Sequence, residues 1–231
     1  MIDLVKIKRG ITMKTILFQG DSITDCGRLR KETPDLISKI LKKSPMGRGY
    51  PVLISKELAG EYNFVNRGVS GDRILDVYAR VVRDIIKIKP DYMSLLVGVN
   101  DIWREFDWNN GTGVERYEKV YDILLDELKT ELPETKIMIL EPFILEGSAT
   151  SNRDGQPNRY AEFKGGIDGV AQITKSLAEK YNHRFVPLQS AFDEAAKTVK
   201  PTELLSDGVH PTELGHQLIK REWLKAFNEI K

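Results

Sequence analysis

The sequence predicts an α/β protein, a doubly wound parallel sheet arranged as a three-layer α/β/α sandwich. Short runs rich in aliphatic and β-branched residues recur along the chain, and most are followed by ten to twenty residues of helical periodicity. The runs at 15–19 and 92–97 are apolar without alternation, as expected of strands covered by helices on both faces.

Five strands follow from this pattern, at 15–19, 63–66, 92–97, 136–140 and 184–187. Between them the periodicity predicts helices at about 50–58, 74–88, 114–132 and 160–181, and a last one after Pro211 running to about Asn228. The polar, Gly-containing stretch 146–166 reads as a long surface loop. Residues 1–12 precede the first strand and read as an N-terminal extension, with Met13 directly ahead of the strand and 13–231 forming one domain.

The chain has 231 residues, 41% of them hydrophobic and 30% charged, enough to bury roughly 70% of its unfolded surface without a disulfide or metal staple. Its 35 Lys+Arg against 34 Asp+Glu leave a formal charge of +1, which argues against nucleic acid or an anionic membrane as a partner. The single cysteine, Cys26, excludes an intrachain disulfide and fits a reducing, cytoplasmic setting. Four residues beyond Ser22, it reads as a small packing residue. No apolar run approaches the roughly 18 residues that span a bilayer.

In doubly wound sheets, ligands bind beyond the carboxyl ends of the strands, so the strand-end loops are where chemistry is expected. Gly20-Asp21-Ser22-Ile23-Thr24 follows the first strand and sets a serine at the sheet edge. Neither dinucleotide nor P-loop glycine fingerprint is present, and the G-x-S-x-G elbow of α/β-hydrolases is absent too. Asp207-Gly208-Val209-His210-Pro211 places a carboxylate three residues before an imidazole. A serine nucleophile needs that pair: a base to take its proton, and an acceptor on the base's other nitrogen. The same residues would also serve a plain helix start, with Pro first and the histidine as a cap. Of the other histidines, His183 precedes a strand, and His216 is expected on the solvated side of the last helix.

Acyl chemistry also needs donors aimed at a developing oxyanion. Gly68, after the second strand, could offer its N–H, and Asn100, after the third, its side-chain amide. Each equally suits a turn, Gly68 as a turn glycine and Asn100 in an Asx-turn. Arg67, Asp72 and Arg73 beside that glycine read as solvated loop charges.

Taken together, FQGDSITDCGR, NRGVSGDR, LLVGVNDIW and SDGVHP resemble four sequence blocks of the SGNH hydrolases, the GDSL lipase/esterase family, across about residues 15–211. The resemblance implies a flavodoxin-like domain with Ser22 as nucleophile, His210 as base and Asp207 as orienting acid. It also implies an oxyanion hole from Ser22, Gly68 and Asn100, with neither metal nor cofactor. GDSITDCGR, GVNDIWREFD, EPFILEG and AFDEAAK are similar to the bacterial acetylxylan-esterase branch. That likeness implies deacetylation of xylo-oligosaccharides and, in some members, homo-oligomers; Asp21, Trp103 and Arg104 are then the candidate substrate contacts. Phe106 and Trp108 would add to a small acyl pocket or a stacking face for sugar. A lipase, lysophospholipase or thioesterase on the same machinery, a non-catalytic carbohydrate- or nucleotide-binding domain, and a metal hydrolase using Asp207 and His210 are the rival readings.

Overall fold

The computed structural model describes residues 13–30 and 44–231, so the expected extension at 1–12 lies outside the described residues. Five strands, β1 (Thr15–Gly20), β2 (Asn63–Asn66), β3 (Tyr92–Leu96), β4 (Lys136–Leu140) and β5 (Arg184–Val186), form one parallel sheet in the order β2-β1-β3-β4-β5. All five coincide with the expected runs to within a residue. β1 and β3 bury every residue but one, which is why their sequences lack alternation.

Helix α1 (Ser22–Asp25) is a single turn after β1, and α2 (Tyr50–Glu57) leads to β2. After β2 come α3 (Ile74–Tyr78) and α4 (Val81–Asp84); β3 is followed by α5 (Val99–Trp108) and α6 (Val114–Glu131). Helix α7 (Arg159–Lys180) joins β4 to β5, and α8 (Gln189–Ala195), α9 (Pro201–Leu204) and α10 (Glu213–Ile230) complete the chain. The helices cover both faces: α2 packs on α10, while α3 and α7 pack on α6. Phe18 of β1 meets Tyr50 of α2 and Trp223 of α10 at ring-centroid distances of 5.8 and 5.6 Å, so apolar side chains from three elements close one layer.

Three departures from the expected elements have physical causes. The segment 74–88 is not one helix: Arg80 leaves helical dihedrals (φ −120°, ψ 14°), and its guanidinium is drawn instead to Asp72, Asp84 and the Arg67 carbonyl. Helix α7 starts at Arg159, within a residue of the expected helix at about 160–181, and packs on α5, so only the overlapping end of the expected loop 146–166, its last eight residues, is lost. α5 itself was not expected, because its first turn, Val99-Asn100-Asp101, carries polar side chains that are nonetheless buried.

The sheet reverses its direction of growth between β1 and β3. A crevice at the carboxyl ends of the strands is expected at that switch point. Ser22 and Asn100 stand just beyond those two strands.

Candidate active site

Ser22 opens α1, and the helix is started by Asp21, whose Oδ1 accepts the Ile23 N–H at 3.0 Å. This turns the Asp21 carboxyl inward until the residue is 1% exposed, and burial pushes its pKa up to about 7. Asp21 therefore caps the helix and is not a substrate contact. The Ser22 side chain faces the other way, with Oγ 3.0 Å from Nε2 of His210.

Asp207 holds His210 and the turn before it through three bonds. Oδ1 accepts the backbone N–H groups of Val209 and His210 at 2.9 and 2.8 Å, which shapes the D-x-x-H turn, and Oδ2 lies 2.7 Å from His210 Nδ1. Partial burial opposes ionisation of Asp207, but the bonds from the His210 ring and from the two N–H groups outweigh it and bring the carboxyl down to about 2. In return the hydrogen bond to Asp207 raises the His210 pKa above 6.5, with desolvation working against it. With the proton on Nδ1, Nε2 is an acceptor aimed at the serine. Such a relay can activate a hydroxyl nucleophile.

Two glycines follow β2, and the structure places them differently with respect to the serine. The Gly68 N–H already donates to Asn66 Oδ1 at 2.9 Å. Gly68 is also packed against the backbone of α1, where an added Cβ would meet Asp25 N at 2.4 Å. It is a packing glycine and points no donor at the serine. Gly71, three residues on, lines the cavity with Ser22, Asn100 and His210. Its φ of +83° is one that L side chains rarely adopt. Asn100 is buried, with Nδ2 donating to the Asp72 carbonyl at 3.1 Å. The signal for Gly71 was present in the sequence as the second glycine of GVSGD, but spacing alone did not select it.

The charges beside these glycines are not solvated loop groups. Arg80 donates from Nε to Asp72 at 2.8 Å, from Nη1 to Asp84 at 2.7 Å and from Nη2 to Gln19 Oε1 at 3.0 Å, forming a half-buried network beneath the loop. Arg73 donates to Asp76 and to both oxygens of Asn110.

The cavity has a volume of about 620 Å³ and is lined by Ser22, Ser70, Gly71, Asn100, Trp103, Arg104, Trp108, Asn110 and His210. Trp103 and Arg104 both line this cavity, Arg104 with its Nη2 donating to the Gly71 carbonyl at 2.6 Å. The Trp103 ring lies 5.7 Å from that of His210, and its Nε1 donates to Asp107 at 2.6 Å. Asp107 is in turn bridged to Arg153 and to the fully buried Arg159, so this tryptophan is held in place. Trp108, 6.3 Å from Trp103, is 62% exposed at the rim. Phe106 turns away to pack on Phe163 and under Arg159.

His216 departs from expectation: it is 5% exposed, its Nδ1 accepts the Tyr50 N–H at 3.2 Å, and its Nε2 lies 3.5 Å from Cys26 Sγ. Burial, reinforced by the charge of His210, lowers its pKa to about 4. The half-buried Cys26 thiol is pushed up by desolvation, which makes it a poor nucleophile. No group of three or more His, Cys, Asp or Glu able to hold a metal is found among the described residues.

Residues 18–218 match the model of the GDSL-like lipase/acylhydrolase family. The chain belongs to this family. An acetylxylan esterase of Geobacillus stearothermophilus is 34% identical over 219 residues, covering 92% of this chain and 93% of that protein. The crystal structure of an acetylxylan esterase from the same organism superposes with a TM-score of 0.75 at 32% identity, over 92% of this chain and 93% of that one. Variants of that esterase described as catalytic mutants replace a serine, an aspartate and a histidine by alanine. A GDSL-like lipase from Parabacteroides merdae gives a TM-score of 0.81 at 34% identity, over 94% of this chain and 98% of that one. As a GDSL hydrolase similar to acetylxylan esterases, the protein is a carboxylic ester hydrolase. No helix among the described residues is long and apolar enough to cross a membrane.

Proposed function

We propose that this GDSL hydrolase removes acetyl groups from acetylated xylo-oligosaccharides through an acyl-enzyme on Ser22. The observation that carries the reading is the continuous relay from Asp207 to His210 to Ser22, at 2.7 and 3.0 Å, opening into a cavity with tryptophan on its wall and rim. His210 Nε2 takes the hydroxyl proton as Ser22 Oγ attacks the acetyl carbonyl, and the Asp207 carboxylate stabilises the imidazolium that forms. Negative charge developing on the carbonyl oxygen is met by the N–H groups of Ser22 and Gly71 and by the Asn100 amide. His210 then gives its proton to the departing sugar oxygen. Water activated by the same imidazole releases acetate in the second half-reaction.

The substrate class is supported by the likeness to acetylxylan esterases and by the wall itself. Trp103 is immobilised by Asp107, which keeps one side of the cavity closed, and Trp108 offers an exposed indole of the kind that stacks on sugar rings. The test compares acetate release from acetylated xylo-oligosaccharides, from other acetylated sugars and from p-nitrophenyl esters of increasing chain length, with Ser22→Ala as control. A deacetylase loses rate beyond about C4, and Ser22→Ala loses both turnover and labelling by an organophosphate. Rates sustained beyond C8 would make it a lipase or thioesterase; labelling that persists in Ser22→Ala would remove the nucleophile assignment.

A further inference from the structure

Three side chains of α5 grip the loop after β2 at residues 71 and 72 and the start of α3 at residue 74. Asn100 Nδ2 donates to the Asp72 carbonyl at 3.1 Å, Arg104 Nη2 donates to the Gly71 carbonyl at 2.6 Å, and the Asp101 carboxylate accepts the Ile74 N–H at 3.1 and 3.2 Å. Residues 100 and 104 are one helical turn apart and so share a face. The other side of the loop is held independently: Asp25 Oδ2 accepts the Ser70 N–H at 3.0 Å and its hydroxyl at 3.2 Å. Gly71 is thus bracketed, its preceding residue tied to the α1 side and its own carbonyl tied to α5. A glycine has the widest backbone freedom of any residue, so the direction of its N–H depends on what holds its neighbours.

We propose that Arg104 is a positioning residue for the oxyanion hole. Its guanidinium holds the Gly71 carbonyl, in the peptide plane that follows the one carrying the Gly71 N–H, while Asp25 holds Ser70 on the plane before it, and the two holds together fix the direction of the N–H between them. One helix then supplies the Asn100 donor and orients the second donor. The proposal rests on the reading of Gly71 as an oxyanion donor given above, and it reassigns Arg104 from the substrate contact expected from sequence. The bond is charge-assisted and short, and an added Cβ on Gly71 would meet Arg104 Nη2 at 2.7 Å, so the guanidinium occupies the space a side chain there would fill.

The two roles separate in kinetics. A sugar contact acts on KM for sugar esters alone, whereas a donor-orienting residue acts on kcat for every ester and on the affinity for a tetrahedral mimic. The experiment measures kcat and KM for p-nitrophenyl acetate and for acetylated xylobiose, and the inhibition constant of methylboronic acid, in wild type, Arg104→Met, Arg104→Lys and Asn100→Ala. Arg104→Met is expected to lower kcat on both substrates by on the order of 10- to 100-fold, to weaken the boronic acid in parallel and to leave KM nearly unchanged. Arg104→Lys should recover part of both losses, since an ammonium can still donate to the Gly71 carbonyl. If the Met variant does not fold, the Lys variant carries the same readouts. A rise in KM for acetylated xylobiose at unchanged kcat, or a fall in kcat with boronic-acid affinity intact, overturns the proposal. If Asn100→Ala also leaves boronic-acid affinity intact, the oxyanion hole itself is misplaced, and the proposal falls with it for a distinguishable reason.

Discussion

Replacing Asp207 by Asn tests the relay while preserving its shape. The Asn Oδ1 can still accept the Val209 and His210 N–H groups, so the turn survives, but an amide NH₂ now faces His210 Nδ1 in place of the carboxylate oxygen at 2.7 Å. Nδ1 must then accept, the ring proton moves to Nε2, and Nε2 can no longer take the proton from Ser22. Two magnitudes enter. The depression of Asp207 from 3.8 to about 2 sets a ceiling of about 2.5 kcal/mol on what its surroundings contribute, before discounting for solvent screening. That accounts for at most about 60-fold. Inversion of the tautomer is the larger effect, about 10⁴-fold in kcat for the same change in a serine protease, so a loss of about 10³- to 10⁴-fold is expected here. The acid limb of kcat/KM moves as well. His210 titrates above 6.5 chiefly because of its bond to Asp207, and with that bond gone burial pulls the midpoint down. The assay is p-nitrophenyl acetate hydrolysis from pH 5 to 9, with thermal unfolding to confirm the fold. A variant keeping more than about a tenth of the rate, or an acid limb left in place, would refute the relay.

Asn100→Ala should lower kcat by about 100-fold or more with little change in KM, read from the same assay. Asp21→Asn keeps a good helix cap but removes an ionisation: the folded carboxyl titrates near 7 and the unfolded one near 3.8, so the wild type loses stability as pH rises through that window. Urea unfolding at pH 5 and pH 8 should therefore show the variant gaining on the wild type by up to a few kcal/mol at the higher pH, and parallel pH dependence would contradict the buried-acid assignment. Gly68→Ala, whose Cβ would meet Asp25 N at 2.4 Å and Thr24 C at 2.8 Å, should cost stability, about 1–3 kcal/mol or more, seen as a lower melting temperature; a kcat defect at unchanged stability would reinstate Gly68 as a donor.

The strands were readable because strands buried on both faces leave a composition signal of their own. The Asp207–His210 pair was readable because the bonds that unite it are local, within a turn of four residues, whereas Ser22, 188 residues from His210, was singled out by its place after the first strand and by the family resemblance. Elements shaped by distant partners were not. Arg80 stands at a break in the helical run where its guanidinium bonds Asp84 and, outside the run, Asp72 and the Arg67 carbonyl, partners that a window of helical periodicity does not contain together. Asp101 and Asn100 look like a turn until their partners, the Ile74 N–H and the Asp72 carbonyl, are brought to them from another loop. His216 is different, since the signal existed. It stands at 3-4-4 spacing with Ile219, Trp223 and Phe227, all buried, and the same periodicity that defined the helix puts the histidine on its inner face.

The choice between Gly68 and Gly71 shows what a motif leaves open. Both glycines sit in the one eight-residue block NRGVSGDR, both follow β2, and either could present an N–H at the sheet edge. What separates them is carried by other side chains. Asn66 engages the Gly68 N–H from two residues away, and its amide in turn bonds the Thr24 and Met46 carbonyls, so that glycine is built into the seam between β2 and α1. Gly71 lies beyond that seam, where its φ of +83° carries the chain past the mouth of the cavity between the holds of Asp25 and Arg104. An oxyanion donor has to keep one N–H free before substrate arrives, yet its direction has to be set in advance. Such a donor is therefore found where neighbouring groups are tied down and its own N–H is not, a condition on the network around a residue that residue spacing does not encode.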